Sequence, residues 1–132
     1  MPEFTLSGRA DAPVEEVWKL LFDPTRFPEW WAGVQTVRND RADGYTAWMQ
    51  GDPDFHWPQQ LRADRAEGRV TISCQVTDID FVWQLVQDGP GTRIDVHVTL
   101  PNSQAHQLDS EREIITTSLA RLATLAQATT TS

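Results

Sequence analysis

ADAPVEEVWKLLFDPTRFPEWW, residues 10–31, crowds three prolines and five aromatic side chains into one short stretch. Pro13 suits the first position of a helix, where its missing N–H has no partner to lose, and Glu15 and Glu16 favour the positive end of the helix dipole. Val14, Val17, Trp18 and Leu21 recur at i, i+3, i+4 and i+7, so the spacing predicts a helix over 13–22 with one apolar face. Pro24 can open a second short helix with Asp23 as its N-cap, and Pro28 prevents a long continuation. The kink between the two turns Phe27, Trp30 and Trp31 toward whatever the rest of the chain builds.

On the N-terminal side, EFTLSGRA (3–10) alternates Phe4, Leu6 and Gly8 with Thr5 and Ser7, the period of a half-buried strand. Past Gly33 that period returns. VQTVRND, DGYTAWMQGD, DFHWPQQLRAD, GRVTISCQV, DFVWQLVQDGPG and TRIDVHVTLP read as six strands separated by RADG, GDPD, AEG, TDID and DGPG turn signals, an antiparallel meander. Val70, Ile72, Cys74 and Val76 form one face of their strand; Phe81, Trp83 and Leu85, and Ile94, Val96, Val98 and Leu100, form one face of theirs. Phe55, Trp57, Gln59 and Leu61 share a face too, and Pro58, which donates no ladder hydrogen bond, predicts an edge or a bulge. From Ser103 to Ala126 the period becomes 3.6: Leu108, Arg112, Ile115, Leu119, Leu122 and Ala126 make a stripe, Ile114 and Leu125 flank it, and Asn102 or Ser103 is the expected N-cap. A one-sided sheet and a long amphipathic helix bury each other's apolar faces.

This order of elements resembles the helix-grip fold of the START and SRPBCC superfamily, which includes lipid-transfer domains and polyketide cyclase/dehydrases. The likeness rests on residues 10–31, with the pattern small-Pro-x-x-x-Val-Trp-x-x-Leu-x-Asp-Pro-x-x-x-Pro-x-Trp, and on DGPGTRIDVHVTL (88–100). One departure is GDPDFHWPQQ (51–60), which lacks the expected glycine-rich strand and leaves the register there open. The resemblance implies an α+β domain over 1–132. A curved antiparallel sheet of about seven strands would wrap a long C-terminal helix, with an apolar cavity between them and two short helices closing one end.

Composition narrows the function. A formal charge of −8 opposes binding to nucleic acid or anionic membrane, and the arginines form no basic stripe. No run is long and apolar enough to span a bilayer, and MPEFTLSGRADAP lacks the basic-then-apolar order of a secretion signal, so the expected location is cytoplasmic. Cys74 is the lone cysteine and reads as a small buried side chain. His56, His97 and His106 have no metal-ligating spacing, and no GxSxG is present; neither metal nor cofactor is expected. Only the tail ATTTS (128–132) is of low complexity, and oligomeric state is left open.

The expected partner is a hydrophobic small molecule. Six tryptophans supply rigid walls, with Trp48 and Trp57 in the irregular region and Trp83, Phe81, Ile115 and Leu119 on inward faces as candidate lining. Polar residues on inward faces are the sharper signal, because a buried polar group needs a partner. Arg112, on the stripe, reads either as a guanidinium for a ligand carboxylate or carbonyl, or as a side chain whose head snorkels out to Asp109 or Glu111. Gln59 and Tyr45 are candidates for hydrogen-bonding a polar ligand end, or for satisfying backbone and water. Three functions fit: a carrier of a lipid, isoprenoid or polyketide; a polyketide cyclase/dehydratase working by folding its ligand with acid/base help; and an interaction protein with a filled core.

Overall fold

The computed structural model describes residues 1–131, with side chains through Ala128; of the low-complexity tail, Ser132 lies outside the described residues. The elements follow as β1 (Glu3–Ala10), α1 (Val14–Leu21), a 3-10 helix (Pro24–Glu29), β2 (Val34–Arg41), β3 (Gly44–Met49), β4 (Asp52–Asp64), β5 (Arg69–Cys74), β6 (Asp80–Asp88), β7 (Gly91–Thr99), a second 3-10 helix (Asn102–Gln107) and α2 (Leu108–Thr131). The strands form one antiparallel sheet in the order β1-β7-β6-β5-β4-β3-β2. The meander supplies six neighbours, and β1 returns to close against β7, pairing Phe4 with Val98 and Leu6 with Val96.

Alternation fixes which face of the sheet is covered. Val70 and Ile72 on β5 lie opposite Trp83 and Phe81 on β6, which in turn oppose Val96 and Val98 on β7. All six are buried. The helical layer covers this face: α2 runs along β1 and packs against α1, α1 reaches β6 and β7, and the first 3-10 helix sits on β2.

The aromatic run of residues 22–31 divides in two. Phe27, Trp30 and Trp31 point inward, where Phe27 meets Tyr45 edge-on at 5.4 Å, Trp30 meets Trp83 at 5.2 Å and Trp31 meets Phe81 at 5.2 Å. Phe22 stays 42% exposed and stacks on Trp18.

Several expectations need correction. Pro13 is the N-cap of α1 rather than its first residue: its backbone is extended and its carbonyl accepts from the Glu16 N–H at 3.0 Å. The second short helix is 3-10, with the Asp23 carboxylate accepting from the Thr25 N–H at 3.1 Å. Val76 falls beyond the end of β5 and is exposed, because the chain turns through Asp78 at φ 59°. Phe55 is also exposed. Pro58 lies in an interior strand, yet at the point where the pairing of β4 with β5 runs out, since that ladder ends at Gln59 opposite Cys74. Neither Asn102 nor Ser103 caps a helix: Pro101 precedes a 3-10 helix, and α2 begins five residues later than expected. It also continues past Ala126. The region 51–60 is regular β4 apart from a bulge between Ala47 and Met49 on β3. Gly44 opens β3 because a Cβ there would run into the Gln59 carbonyl.

Ser118 ties the two layers together and is absent from the sequence-predicted stripe. Fully buried on α2, its hydroxyl donates to the Ile114 carbonyl at 2.7 Å and accepts from the Ala32 N–H at 2.9 Å. Ser118→Ala leaves that N–H without a partner, so the expected loss is about 1–3 kcal/mol of unfolding free energy. Urea titration measures it; a loss below about 0.5 kcal/mol would mean that water replaces the hydroxyl.

Candidate functional site

Because α2 makes its close backbone approach to β1 and α1, the part of the sheet formed by β3, β4 and the β5–β6 turn is left without a helix pressed onto it. A cavity of about 330 Å³ occupies that place. Its floor is Tyr45, Ala47 and Met49 on β3, Trp57 and Gln59 on β4, Cys74 and Phe81. Trp31 through Val34 form one wall, Thr77 and Ile79 another, and Gln104, Gln107, Glu111 and Ile114 from the second 3-10 helix and α2 form the roof.

Local structure accounts for each position. Period-two alternation turns Tyr45, Ala47 and Met49 to the same side, and antiparallel register sets Gln59 opposite Tyr45 and Trp57 opposite Ala47. The 3-10 segment before α2 presents Gln104 and Gln107, three residues apart and therefore eclipsed, to the same opening. On α2, Glu111 and Ile114 lie within one turn.

Of the residues expected at a ligand site, Tyr45, Gln59, Trp57 and Phe81 line this cavity together. The other five lie elsewhere. Trp48 points to the outer face of the sheet, between the Arg38 guanidinium at 5.4 Å and the His56 ring at 5.1 Å. Trp83 is inward but enclosed by Trp30 and Trp31, Ile115 is fully buried in the core, and Leu119 packs over Gly8 of β1. Arg112 is exposed, and its head rests over the Phe4 ring at 5.6 Å rather than on Asp109 or Glu111. The cation expected at the cavity is thus on the other flank of α2.

Glu111 takes the place that sequence reasoning offered to Arg112. It stands four residues before Ile115 and seven before Ser118, a spacing that already qualified it for the inward face. Burial pushes its carboxyl above the ordinary value of 4.5. The Tyr45 phenol is pushed up as well, mainly by burial and secondly by the nearby Cys74. Both groups are held in their protonated forms more firmly than in water. Among the described residues the buried Trp57 Nε1–H has no hydrogen-bond partner, and the Gln59 side-chain amide donates a long bond, 3.4 Å, to the Trp57 carbonyl.

The raised Glu111 value has a consequence for stability. Between pH 4.5 and its folded value, the native state keeps a proton that the unfolded chain has released, so stability falls as pH rises through that window. Glu111→Gln removes the titration. Its melting temperature should match the parent near about pH 4 and exceed it by about pH 8. A difference that stays constant across the range would show that Glu111 is not destabilised by burial.

Comparison with known proteins follows the same lines. The family model described as "Polyketide cyclase / dehydrase and lipid transport" matches residues 1–127. No protein of curated function matches. Among solved structures, a Nitrosomonas europaea protein superposes with TM-score 0.77 at 15% identity, over 98% of this chain and 97% of that one. The protein XoxI from Bacillus cereus superposes with TM-score 0.76 at 17% identity, over 94% of each. The di-domain ARO/CYC BexL from the BE-7585A biosynthetic pathway gives TM-score 0.74 at 18% identity, with 99% of this chain covering 46% of that protein. At these identities the likeness is one of fold.

Proposed function

Since the chain belongs to the polyketide cyclase/dehydrase and lipid transport family, we propose that it binds a compact hydrophobic molecule in the cavity between β3–β4 and the start of α2. The observation that carries this reading is the cavity of about 330 Å³ beside the buried core, walled by Trp31, Trp57, Ile79 and Phe81. Its walls are mostly apolar, with a few convergent polar groups, the usual character of a small-molecule site. The volume stands near the lower end of the roughly 300–1,000 Å³ of such sites, which favours one or two fused rings or a short isoprenoid over a long acyl chain. A filled-core interaction protein fits this interior poorly.

Native mass spectrometry of the purified protein tests the proposal, together with equilibrium dialysis against ethylnaphthalene. A co-purified hydrophobic mass, or saturable one-to-one uptake of the hydrocarbon, is the expected result. An empty protein that takes up no hydrocarbon would overturn it.

A second reading, catalysis of the cyclase/dehydratase kind, is favoured by one observation: Tyr45 and Glu111 face the same cavity, and burial raises the proton affinity of both. Beside a bound polyketide, either could pass a proton to a carbonyl oxygen or a departing hydroxyl while the walls fix the fold of the chain. The resemblance to the ARO/CYC protein BexL is consistent with this chemistry. Conversion of a poly-β-keto substrate should then fall at least about a hundredfold in Tyr45→Phe or Glu111→Gln. Binding without conversion would leave the protein a carrier.

A further inference from the structure

Tyr45, Gln59 and Cys74 stand in one row across β3, β4 and β5, because the register sets Gln59 opposite both Tyr45 and Cys74. All three line the cavity. Tyr45 is 4% exposed and Gln59 5%, so each brings a polar end to the floor of a mostly apolar recess. The Gln59 amide commits one N–H to the Trp57 carbonyl at 3.4 Å. Among the described residues its Oε1 accepts from nothing, and the Tyr45 hydroxyl makes no hydrogen bond. Neither oxygen is sealed off as the indole nitrogens of Trp57 and Trp83 are, so the surface each keeps opens onto the cavity. Taking the ligand-binding reading above as its premise, we infer that Tyr45 and Gln59 act together as a hydroxyl-recognition pair, and that the cavity prefers a one- or two-ring molecule carrying a hydroxyl over the corresponding ketone or hydrocarbon.

The two polar ends make complementary demands. A phenol offers an O–H, and the Gln59 amide, turned by its bond to Trp57, offers a carbonyl oxygen. Directly opposite residues of an antiparallel pair hold their Cβ atoms roughly 4.5–5.5 Å apart, so one small group can meet both side chains. A hydroxyl satisfies both with a single oxygen: it accepts from Tyr45 and donates to Gln59. A ketone accepts from Tyr45 but covers the Gln59 Oε1 without giving it a donor, and a hydrocarbon leaves both oxygens unpaired. Covering an unpaired polar atom carries its full desolvation cost, and a site that hydrogen-bonds a hydroxyl discriminates strongly against the analogue lacking it. The polar side chains at the rim impose no such demand. Gln50, Thr77, Gln104, Gln107 and Glu111 are exposed or half-buried, so solvent can still reach them.

Tetralin, tetralone and tetralol test the proposal by equilibrium dialysis, since they are neutral and share one bicyclic frame that carries no polar group, a carbonyl or a hydroxyl. Tetralol should bind on the order of tenfold more tightly than either of the others. Gln59→Leu removes the acceptor and should erase the difference between tetralol and tetralone. Tyr45→Phe should weaken both of these relative to tetralin, because both accept from the phenol. Circular dichroism of each variant confirms that the fold is retained, and Gln59→Met, with an unbranched stem, repeats the test if the leucine variant does not fold. Tetralone matching tetralol in the parent protein would overturn the proposal, as would a preference for tetralol that persists without Gln59. Equal binding of all three would overturn it too, leaving the cavity a ligand site without this selectivity. If none of the three binds, the ligand-binding reading fails and the hydroxyl preference with it.

Discussion

Trp30→Ala is expected to lower the melting temperature by roughly 10–20 °C, the equivalent of about 3–5 kcal/mol for a chain of this size. Trp30 is fully buried and touches Phe27 edge-on at 5.3 Å, Trp83 edge-on at 5.2 Å and Trp31 in a stacked pair at 5.4 Å. Its indole Nε1–H donates to the Leu20 carbonyl at 2.9 Å. That carbonyl lies in the last turn of α1, where helical hydrogen bonding runs out, so Trp30 acts as a side-chain cap delivered from outside the helix. Truncation removes the ring from the centre of the cluster and strands the carbonyl as well. Trp30→Phe separates the two effects: it keeps most of the apolar area and loses only the bond, for an expected cost of about 1–3 kcal/mol. Thermal unfolding followed by near-ultraviolet circular dichroism reports both. An Ala variant melting within a few degrees of the parent would mean that the aromatic cluster is peripheral to stability.

The reading of residues 10–31 succeeded because local rules and tertiary packing agree there. The proline-marked helix starts, the apolar face of α1 and the inward turn of Phe27, Trp30 and Trp31 all follow from short-range geometry. The strands were legible for the same reason, since Val70, Ile72, Ile94 and Val96 alternate with polar neighbours and a period of two fixes the face. Trp48 is an error the sequence itself exposes. Tyr45 and Trp48 are three residues apart on one strand, so a regular β3 turns them to opposite faces, and the neighbouring bulge does not reverse this. The exchange of Arg112 for Glu111 is different in kind. At 3.6 residues per turn the two lie about 60° and about 40° to either side of Ile115, so helical periodicity admits both to the stripe. What decides between them is the side toward which α2 leans. Its contact with β1 sets Arg112 over Phe4 and leaves Glu111 over the cavity, a fact of packing between residues over a hundred positions apart. Gln104 and Gln107 were missed because Asn102–Gln107 forms i→i+3 rather than i→i+4 bonds, a choice that composition does not announce.

The second large effect concerns the cavity itself. Ala47 is 1% exposed, lines the cavity and faces Trp57 across the β3–β4 ladder. Ala47→Phe drives a benzyl group into the space assigned to the ligand. Uptake of ethylnaphthalene should fall by about a hundredfold or more, a change of roughly 2.7 kcal/mol in binding free energy. Stability should hold within about 1 kcal/mol of the parent, because the added ring fills a void and displaces no packed side chain. Val96→Phe is the matched control. Val96 is fully buried between Leu6 and Trp83 in the sheet register and does not line the cavity over β3. Overpacking there should cost about 1–3 kcal/mol or more while the ligand site stays open. Chemical denaturation and equilibrium dialysis on both variants give a crossed pattern if the void is a binding site: one loses ligand and keeps its stability, the other does the reverse. If Ala47→Phe is as destabilising as Val96→Phe, the interior over β3 is as closely packed as the rest of the core. Small-molecule binding would then have no place in this protein.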